Sequence, residues 1–135
     1  LQAVSGIGMT FPLHCTANGK ALLAELPREE VERLIPEQLP ALTPNTITTR
    51  ARLMEELERV RVERVAFDRE EHTIGICAVG VAVRDPMGRS AAITIPVPSI
   101  RFYGNEERLA AALLRICDLI EGEAKTHAEY GETRL

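Results

Sequence analysis

The sequence has no apolar run near the ~20 residues that a membrane-spanning helix needs. It also does not open with the basic and then apolar segments of a secretory signal peptide. Its three cysteines, Cys15, Cys77 and Cys117, form neither a CxxC pair nor a zinc-finger spacing. An odd number of widely spaced cysteines is not a disulfide framework, so we expect a cytoplasmic protein with free thiols and no membrane contact. We predict no metal and no cofactor.

A basic excess is missing as well. Lys and Arg number 16 against 20 Asp and Glu, which gives a net charge of −4, whereas surfaces that bind nucleic acid usually carry a positive excess. The densest basic stretch, residues 50–69, alternates with glutamates and predicts a solvated helix face. The chain starts at Leu1 rather than at a methionine, and we expect any DNA-binding part to lie outside it.

The composition fits one folded unit. The 135 residues are 45% hydrophobic and 27% charged, as in ordinary globular domains, and a chain of this length forms one domain more readily than two. We therefore predict a single domain over residues 1–135.

Hydrophobic periodicity and capping residues predict helices first and then a sheet. Thr16 and either Thr48 or Thr49 have the side chains of N-caps, and Pro27 should end the first helix. The predicted elements are an extended lead-in over 1–11, helices over 17–26, 28–35 and from about 50, strands at 65–67, 74–83 and 91–97 with a turn at 85–88, and a long helix after Asn105 whose polar tail beyond Glu121 frays or mediates contacts. This order predicts an α+β domain with helices on an antiparallel sheet.

Three segments, taken together, resemble the effector-binding domain of IclR-family bacterial transcription regulators. They are PLHCTANGKALLA at 12–24, LTPNTIT at 42–48 and AFDREEHTIGICAVGVAVRD at 66–85. The resemblance covers nearly the whole chain. It implies a GAF-like fold, a curved antiparallel β-sheet with helices packed on both faces. It also implies a small-molecule effector, often an organic acid, a homodimer or tetramer, and an N-terminal winged helix-turn-helix domain, absent from this chain, that alone contacts DNA.

The resemblance assigns the ligand-binding residues to the start of the first helix, the third helix and the strands. Small residues at 17–19 would let an anion approach free backbone N–H groups, although they could equally serve close helix packing. Ala78 stands where the family has cysteine, and Pro96 replaces a hydroxyl donor. We therefore expect a larger or more apolar ligand, such as an aromatic or longer carboxylic acid. The predicted set is Thr16, Ala17, Asn18, Gly19, Met54, Asp68, Ile76, Ala78, Ile93, Thr94 and Pro96.

Other interpretations of the polar residues remain open. Asp68 with Glu70 and Glu71 could be a solvated turn whose carboxylates cap the backbone. A Cys–His nucleophile from His14 and Cys15 is disfavoured, because adjacent residues on an extended chain point apart. A small hydrolase or isomerase using Asp68 and His14 is a separate alternative. A metal site would need scattered ligands. Lys20 is expected to be an exposed lysine. A pure oligomerisation domain without ligand is the main rival.

Overall fold

The computed structural model describes residues 2–4 and 10–133, and the surroundings of side chains from Pro12 to Glu123. Within these residues, two antiparallel sheets and five helices follow one another along the chain. The elements are β1 (Gln2–Val4), β2 (Thr10–Pro12), α1 (Ala17–Leu23), α2 (Arg28–Leu34), α3 (Arg50–Glu63), β3 (Ala66–Thr73), β4 (Ile76–Arg84), β5 (Ser90–Pro98), α4 (Ser99–Phe102) and α5 (Glu106–Thr133). None of these helices is both long and apolar enough to cross a membrane.

The central layer is an antiparallel sheet in the order β3-β4-β5, while β1 pairs with β2. Because side chains alternate along each strand, cross-strand partners form rows on one face or the other. Asp68, Ala78 and Pro96 form one such row, and Ala66, Gly80 and Thr94 form the next. Helix α1 packs on the face of these two rows and α5 on the other, so the predicted α+β arrangement with helices on both faces is confirmed.

Gly80 lets α1 approach the sheet closely. A Cβ atom added at this glycine would lie 2.8 Å from the carbonyl carbon of Ala17, closer than real Cβ atoms come to their neighbours. The start of α1 therefore lies directly on β4. The rest of that layer is an apolar cluster between α1, α2 and α3, in which Leu23, Leu53 and Leu57 are fully buried.

The opposite face of the sheet carries the larger core. Alternate residues of β4 pack there against α4 and α5, with Leu113 and Cys117 buried beneath the sheet. The rings of Phe67 and Phe102 meet edge to face with centroids 5.9 Å apart, a favoured geometry for aromatic pairs. Each face of the three-stranded sheet thus packs against its own helices.

The predicted helix starts are confirmed. Thr16 Oγ1 accepts from the Gly19 N–H at 3.1 Å, and Thr49 Oγ1 accepts from the Arg52 N–H at 3.3 Å. Helix α1 ends at Leu23, before Pro27, and α4 was not predicted. Helix α5 continues past Glu121 to Thr133. Part of the predicted lead-in, residues 1 and 5–9, lies outside the described residues.

Candidate functional site

In the turn that starts α1, some of the polar groups already have hydrogen-bond partners. Thr16 Oγ1 donates to the Pro12 carbonyl at 2.7 Å while accepting from Gly19, and the Lys20 N–H donates to the Thr16 carbonyl at 3.0 Å. First-turn N–H groups have no acceptor within the helix itself. Those of Ala17 and Asn18 are thus the two in this turn that an anion could use, and Asn18 is half-buried.

Gly19 has a packing role beside any role in binding. A Cβ atom at this position would lie 2.4 Å from the Leu13 carbonyl oxygen and 2.6 Å from Thr16 Oγ1. A side chain would therefore break the cap of α1. The packing interpretation of the small residues is correct for Gly19 and, through its contact with Gly80, for Ala17.

The sheet face beneath α1 presents a polar atom without a partner. Thr94 lies opposite Gly80 on the neighbouring strand, and its Oγ1 atom is buried with no hydrogen-bond partner. Buried hydroxyls nearly always have a partner, so each exception calls for an explanation. The next row of the same face carries Asp68, Ala78 and Pro96. These predicted site residues therefore share one face of the sheet with the start of α1.

Asp68 is buried and caps the backbone. Its Oδ1 accepts from the Glu71 N–H at 2.8 Å, as the backbone-capping interpretation predicted, but Asp68 and Glu71 themselves are each only 6% exposed rather than solvated. Burial raises the pKa of the Asp68 carboxyl, and the hydrogen bond from the Glu71 N–H partly opposes that rise. A carboxyl of this kind can accept from a ligand hydroxyl or, when protonated, donate to a ligand oxygen.

Lys20 is buried, so the prediction of an exposed lysine was wrong. Only 1% of it is exposed, and its Nζ lies 3.0 Å from both carboxylate oxygens of Glu71 and 3.6 Å from Glu56. The signal was present in the sequence. Ala17, Lys20, Ala21 and Ala24 have the i, i+3, i+4, i+7 spacing of a buried helix face.

Asp68 and Glu71 lie at an irregular part of β3 that is held by hydrogen bonds from a neighbouring loop. The strand register shifts between Arg69 and Thr73, and Glu70 has a φ of 58°, unusual for a non-glycine residue. Thr43 Oγ1 donates to the Glu70 carbonyl at 2.6 Å, and Thr46 Oγ1 donates to the Glu71 carbonyl at 2.5 Å. Sequence reasoning used these threonines only for the family resemblance and missed their structural task.

The Glu70 carboxylate is structural. Its Oε1 accepts from the Gly75 N–H at 2.8 Å, and its Oε2 accepts from the Tyr103 hydroxyl at 2.9 Å. Both bonds tie the β3–β4 turn and α4 to the irregular segment. Tyr103 was not singled out from the sequence, since a lone tyrosine after a proline-rich strand gives no signal of this contact.

The remaining predicted site residues are spread more widely. Ile76 lies on the α1 face at the start of β4 and is 42% exposed. Met54 is buried in the cluster between α1, α2 and α3 and borders a groove of about 710 Å³ between α2 and α3. Ile93 pairs with Val81 and packs on the α5 side of the sheet. Because consecutive strand residues point to opposite faces, Ile93 lies on the other side of the sheet from Thr94 and Ala78.

The groups proposed for catalysis or metal binding have other partners. His14 Nε2 donates to the Pro40 carbonyl at 2.9 Å, whereas Asp68 accepts from the Glu71 amide; no hydrogen bond joins the two in the described part of the chain. Burial raises the pKa of the Cys15 thiol to about 12. Among residues with described side chains, no group of three or more His, Cys, Asp and Glu could hold a metal ion.

Three of the four arginines of α3 are paired along their own helix, as the alternating charges predicted, whereas Arg50 lies 3.6 Å from Glu37 in the preceding loop. Arg52 lies 3.6 Å from Glu55 and Arg59 lies 2.7 Å from Glu56. Arg61 pairs with Glu58 and also donates to the Ala24 carbonyl at 3.0 Å, which connects α3 to the end of α1. This face is therefore neutralised and offers no phosphate-binding stripe.

Comparison with known proteins gives a consistent result. The family model described as "Bacterial transcriptional regulator IclR C-terminal" matches residues 1–120. The HTH-type transcriptional regulator Rv1719 of Mycobacterium tuberculosis is 57% identical over 114 residues, which are 84% of this chain and 44% of that protein. The chain thus spans less than half the length of the curated relatives it matches, since the figure for TtgV of Pseudomonas putida is also 44%.

Two solved structures extend the likeness to the fold. The IclR protein of Thermotoga maritima matches with a TM-score of 0.76 and 35% identity over 90% of this chain and 51% of that chain. The inducer-binding domain of the transcription factor PobR from Acinetobacter, a double mutant in complex with 3-hydroxybenzoic acid, matches with a TM-score of 0.71 and 30% identity. That match covers 86% of this chain and 66% of the PobR chain.

Proposed function

This chain belongs to the IclR family of bacterial transcriptional regulators and corresponds to the C-terminal domain of its members, and we propose that this domain senses an organic acid. In this proposal the effector changes how an attached N-terminal winged-helix domain binds DNA, in the cytoplasm. The buried Thr94 hydroxyl without a partner carries the proposal. It lies on the same sheet face as Asp68 and beside the start of α1, where an effector could supply the missing hydrogen bond.

Each polar group has a distinct role in the proposed site. The amides of Ala17 and Asn18 bind the effector carboxylate, since free backbone N–H groups are suited to anions. Thr94 donates to it or accepts from a substituent. Asp68 accepts from an effector hydroxyl, because two bare carboxylates would repel each other without an intervening proton. Ile76 and Ala78 supply apolar walls, as small-molecule sites are mostly apolar with a few polar groups that set orientation.

The proposed effector class is an aromatic or longer carboxylic acid. Ala78 and Pro96 lie side by side across β4 and β5 and offer neither a thiol nor a hydroxyl. The PobR domain, which shares the fold, is described in complex with 3-hydroxybenzoic acid. An aromatic ring on the Ala78–Pro96 row, with a hydroxyl toward Asp68, is consistent with both observations.

Sensing requires two arrangements with different effector affinity, and we propose that these are two arrangements of a homodimer or tetramer. Ile116, Leu119 and Ile120 form an exposed apolar stripe on α5, with Leu119 64% exposed, and this stripe favours assembly through that helix. Sedimentation of the chain should show an oligomer, and Leu119→Glu should shift it toward the monomer. If Leu119→Glu sediments like the wild-type chain, the exposed stripe of α5 does not form the subunit interface.

A thermal-shift screen against aliphatic and aromatic carboxylic acids tests the proposed sensing. An effector at a hundred times its dissociation constant should stabilise the folded state by about 2.7 kcal/mol. The aromatic acids should raise the melting temperature, and Asn18→Leu, which crowds the 16–19 turn, should abolish the rise. Gln38→Leu, on an exposed loop, serves as the control. A folded oligomer that responds to none of the acids would contradict the proposal and favour a pure assembly domain.

A further inference from the structure

A buried ion cluster lies next to the proposed site. The Lys20 ammonium is held by both carboxylate oxygens of Glu71 at 3.0 Å and lies 3.6 Å from the Glu56 carboxylate. Glu56 in turn pairs with Arg59 at 2.7 Å. The Lys20 and Glu71 side chains are almost entirely removed from solvent, so the pair is part of the interior between α1, α3 and β3.

Lys20 is not available as the cation for an acidic effector. Both oxygens of Glu71 already occupy it, and Glu56 provides a second negative charge nearby. A third carboxylate would have to displace one of these partners in a region of low dielectric, where repulsion between like charges is strong. Any effect of the lysine on binding must therefore pass through the groups that it holds.

Stability alone is a poor explanation for this pair. The desolvation of two buried charges can cost as much as their attraction returns, and apolar residues of similar volume often serve equally well. The better attested role of a buried ion pair is to select one geometry over others. The atoms held by Lys20 and Glu71 show which geometry that is.

Glu71 holds the segment that carries Asp68. Its Oε2 accepts from the Arg69 N–H at 3.0 Å, and its own N–H donates to Asp68 Oδ1 at 2.8 Å. Between them Glu70 keeps a positive φ of 58°, a conformation that a non-glycine residue retains only when its surroundings enforce it. When Lys20 anchors the Glu71 carboxylate, it therefore also sets the position of the Asp68 carboxyl.

Lys20 itself lies one turn after the proposed anion-binding amides. The Lys20 N–H donates to the Thr16 carbonyl, so its helix turn includes Ala17 and Asn18. The two halves of the site, amides on α1 and a carboxyl on β3, are joined by an ion pair between residues 51 positions apart in sequence.

We propose that Lys20 and Glu71 are positioning residues of the effector site. The pair fixes the spacing between the amides of Ala17 and Asn18 and the carboxyl of Asp68, and this spacing sets both affinity and selectivity for a hydroxylated acid. The inference rests on the proposed function, because it concerns how that same site is shaped. It predicts that loss of the pair alters selectivity even when the fold is kept.

The test uses the double variant Lys20→Met/Glu71→Met, which removes both charges at similar side-chain length. Lys20→Met alone would leave Glu71 buried and unpaired and could prevent folding. The probes are 3-hydroxybenzoate and benzoate, which differ only by the hydroxyl proposed to reach Asp68. Titration calorimetry on the wild-type chain and the double variant gives both affinities, and urea unfolding shows that the variant is folded. The control Arg28→Met/Glu32→Met removes an exposed pair on α2.

The wild-type chain should bind 3-hydroxybenzoate more tightly than benzoate. The double variant should bind 3-hydroxybenzoate at least tenfold more weakly than the wild-type chain, and its ratio of the two affinities should fall toward one. The control should bind like the wild-type chain. A folded double variant with unchanged affinity ratio would overturn the positioning role and leave the proposed function intact. A wild-type chain that binds neither acid would instead overturn the aromatic-acid site, and the positioning role with it.

Discussion

Thr94 lies directly across the β4–β5 ladder from Gly80, and its buried hydroxyl has no partner there. Gly80 in turn is the position at which Ala17 of α1 approaches the sheet. Gly80 thus allows α1 to pack closely on the sheet, and Thr94 places a hydroxyl without a hydrogen-bond partner beside that contact. An apolar residue at 94 would suit a closed core better, so the hydroxyl is best explained by a task other than stability.

Thr94→Val tests that explanation, because valine keeps the shape and removes the hydroxyl. An unpaired buried hydroxyl costs about 1–3 kcal/mol, so the variant should unfold at equal or higher urea concentration. Affinity for an acid effector should fall about tenfold, or about 1.4 kcal/mol, because a hydrogen bond in the complex is lost. Thr94→Ser should retain binding. If Thr94→Val bound the effector as well as the wild-type chain, Thr94 would not be a contact.

Gly80→Val should move α1 off the sheet. The new Cβ would overlap the Ala17 backbone, and overpacking of this kind costs typically 1–3 kcal/mol. Urea unfolding should report that loss, and effector binding should weaken with it. Gly122→Ala is the control, since a Cβ there meets nothing within 4 Å and alanine in a helix gains about 0.5–1 kcal/mol over glycine. If Gly80→Val had the same free energy of unfolding as the wild-type chain, α1 would be able to move away from residue 80 without loss of stability.

Local patterns in the sequence were sufficient for the elements and for part of the site. Thr16 and Thr49 cap their helices because the capping oxygen and the receiving amide are only three residues apart. The period of two in β4 fixed which residues face α1. The same alternation places Ile93 and Thr94 on opposite faces of the sheet.

The buried lysine could be suspected from the sequence but not assigned a partner. The spacing of Lys20 among small residues predicts a buried position, yet nothing local predicts Glu71, which is 51 residues away. The irregular register in β3 decides which acid points inward, and it depends on hydroxyls of Thr43 and Thr46 from a separate loop. Contacts of this range follow from the whole fold rather than from any one motif.

Ala78→Cys tests the size of the site. Ala78 lies between Asp68 and Pro96 on adjacent strands, so a thiol there takes space from the proposed effector ring. A group of this size in an apolar site changes discrimination by about 1–3 kcal/mol. The affinity ratio of 3-hydroxybenzoate to pyruvate should fall at least tenfold. Ala91→Cys, on an exposed part of β5, should leave the ratio unchanged. An unchanged affinity ratio in Ala78→Cys would mean that residue 78 does not contact the effector.

The thiols should be inert in the folded chain. Cys15, Cys77 and Cys117 are all buried, and burial raises the pKa of each thiol, for Cys15 to about 12. Because the thiolate is the reactive form, a disulfide reagent at pH 8 should label none of them on a minute timescale and all three in denaturant. Rapid labelling of Cys15 in the native chain would reopen a nucleophilic role beside His14.

Asp68 should make folding stability depend on pH. Burial raises its pKa above the ordinary 3.8, so between these two values the folded chain binds more protons than the unfolded chain. The contribution of Asp68 to stability is therefore fully present below pH 3.8 and is lost as the pH rises through the raised value. Asp68→Asn keeps the oxygen that accepts from the Glu71 N–H and removes the buried charge.

The free energy of unfolding of Asp68→Asn, relative to the wild-type chain, should thus increase as the pH rises from about 4 and then level off. The same variant should bind a hydroxylated acid more weakly at neutral pH, since a carboxylate accepts more strongly than an amide. Asp85→Asn is the matched control: hydrogen bonds from Arg89 lower the pKa of Asp85, so its slope should have the opposite sign, lie below pH 3.8 and be absent above pH 4. A flat pH dependence for Asp68→Asn would show that this carboxyl is better solvated than its burial implies. A more stable variant with weaker binding would show that the buried charge is retained for the effector rather than for the fold.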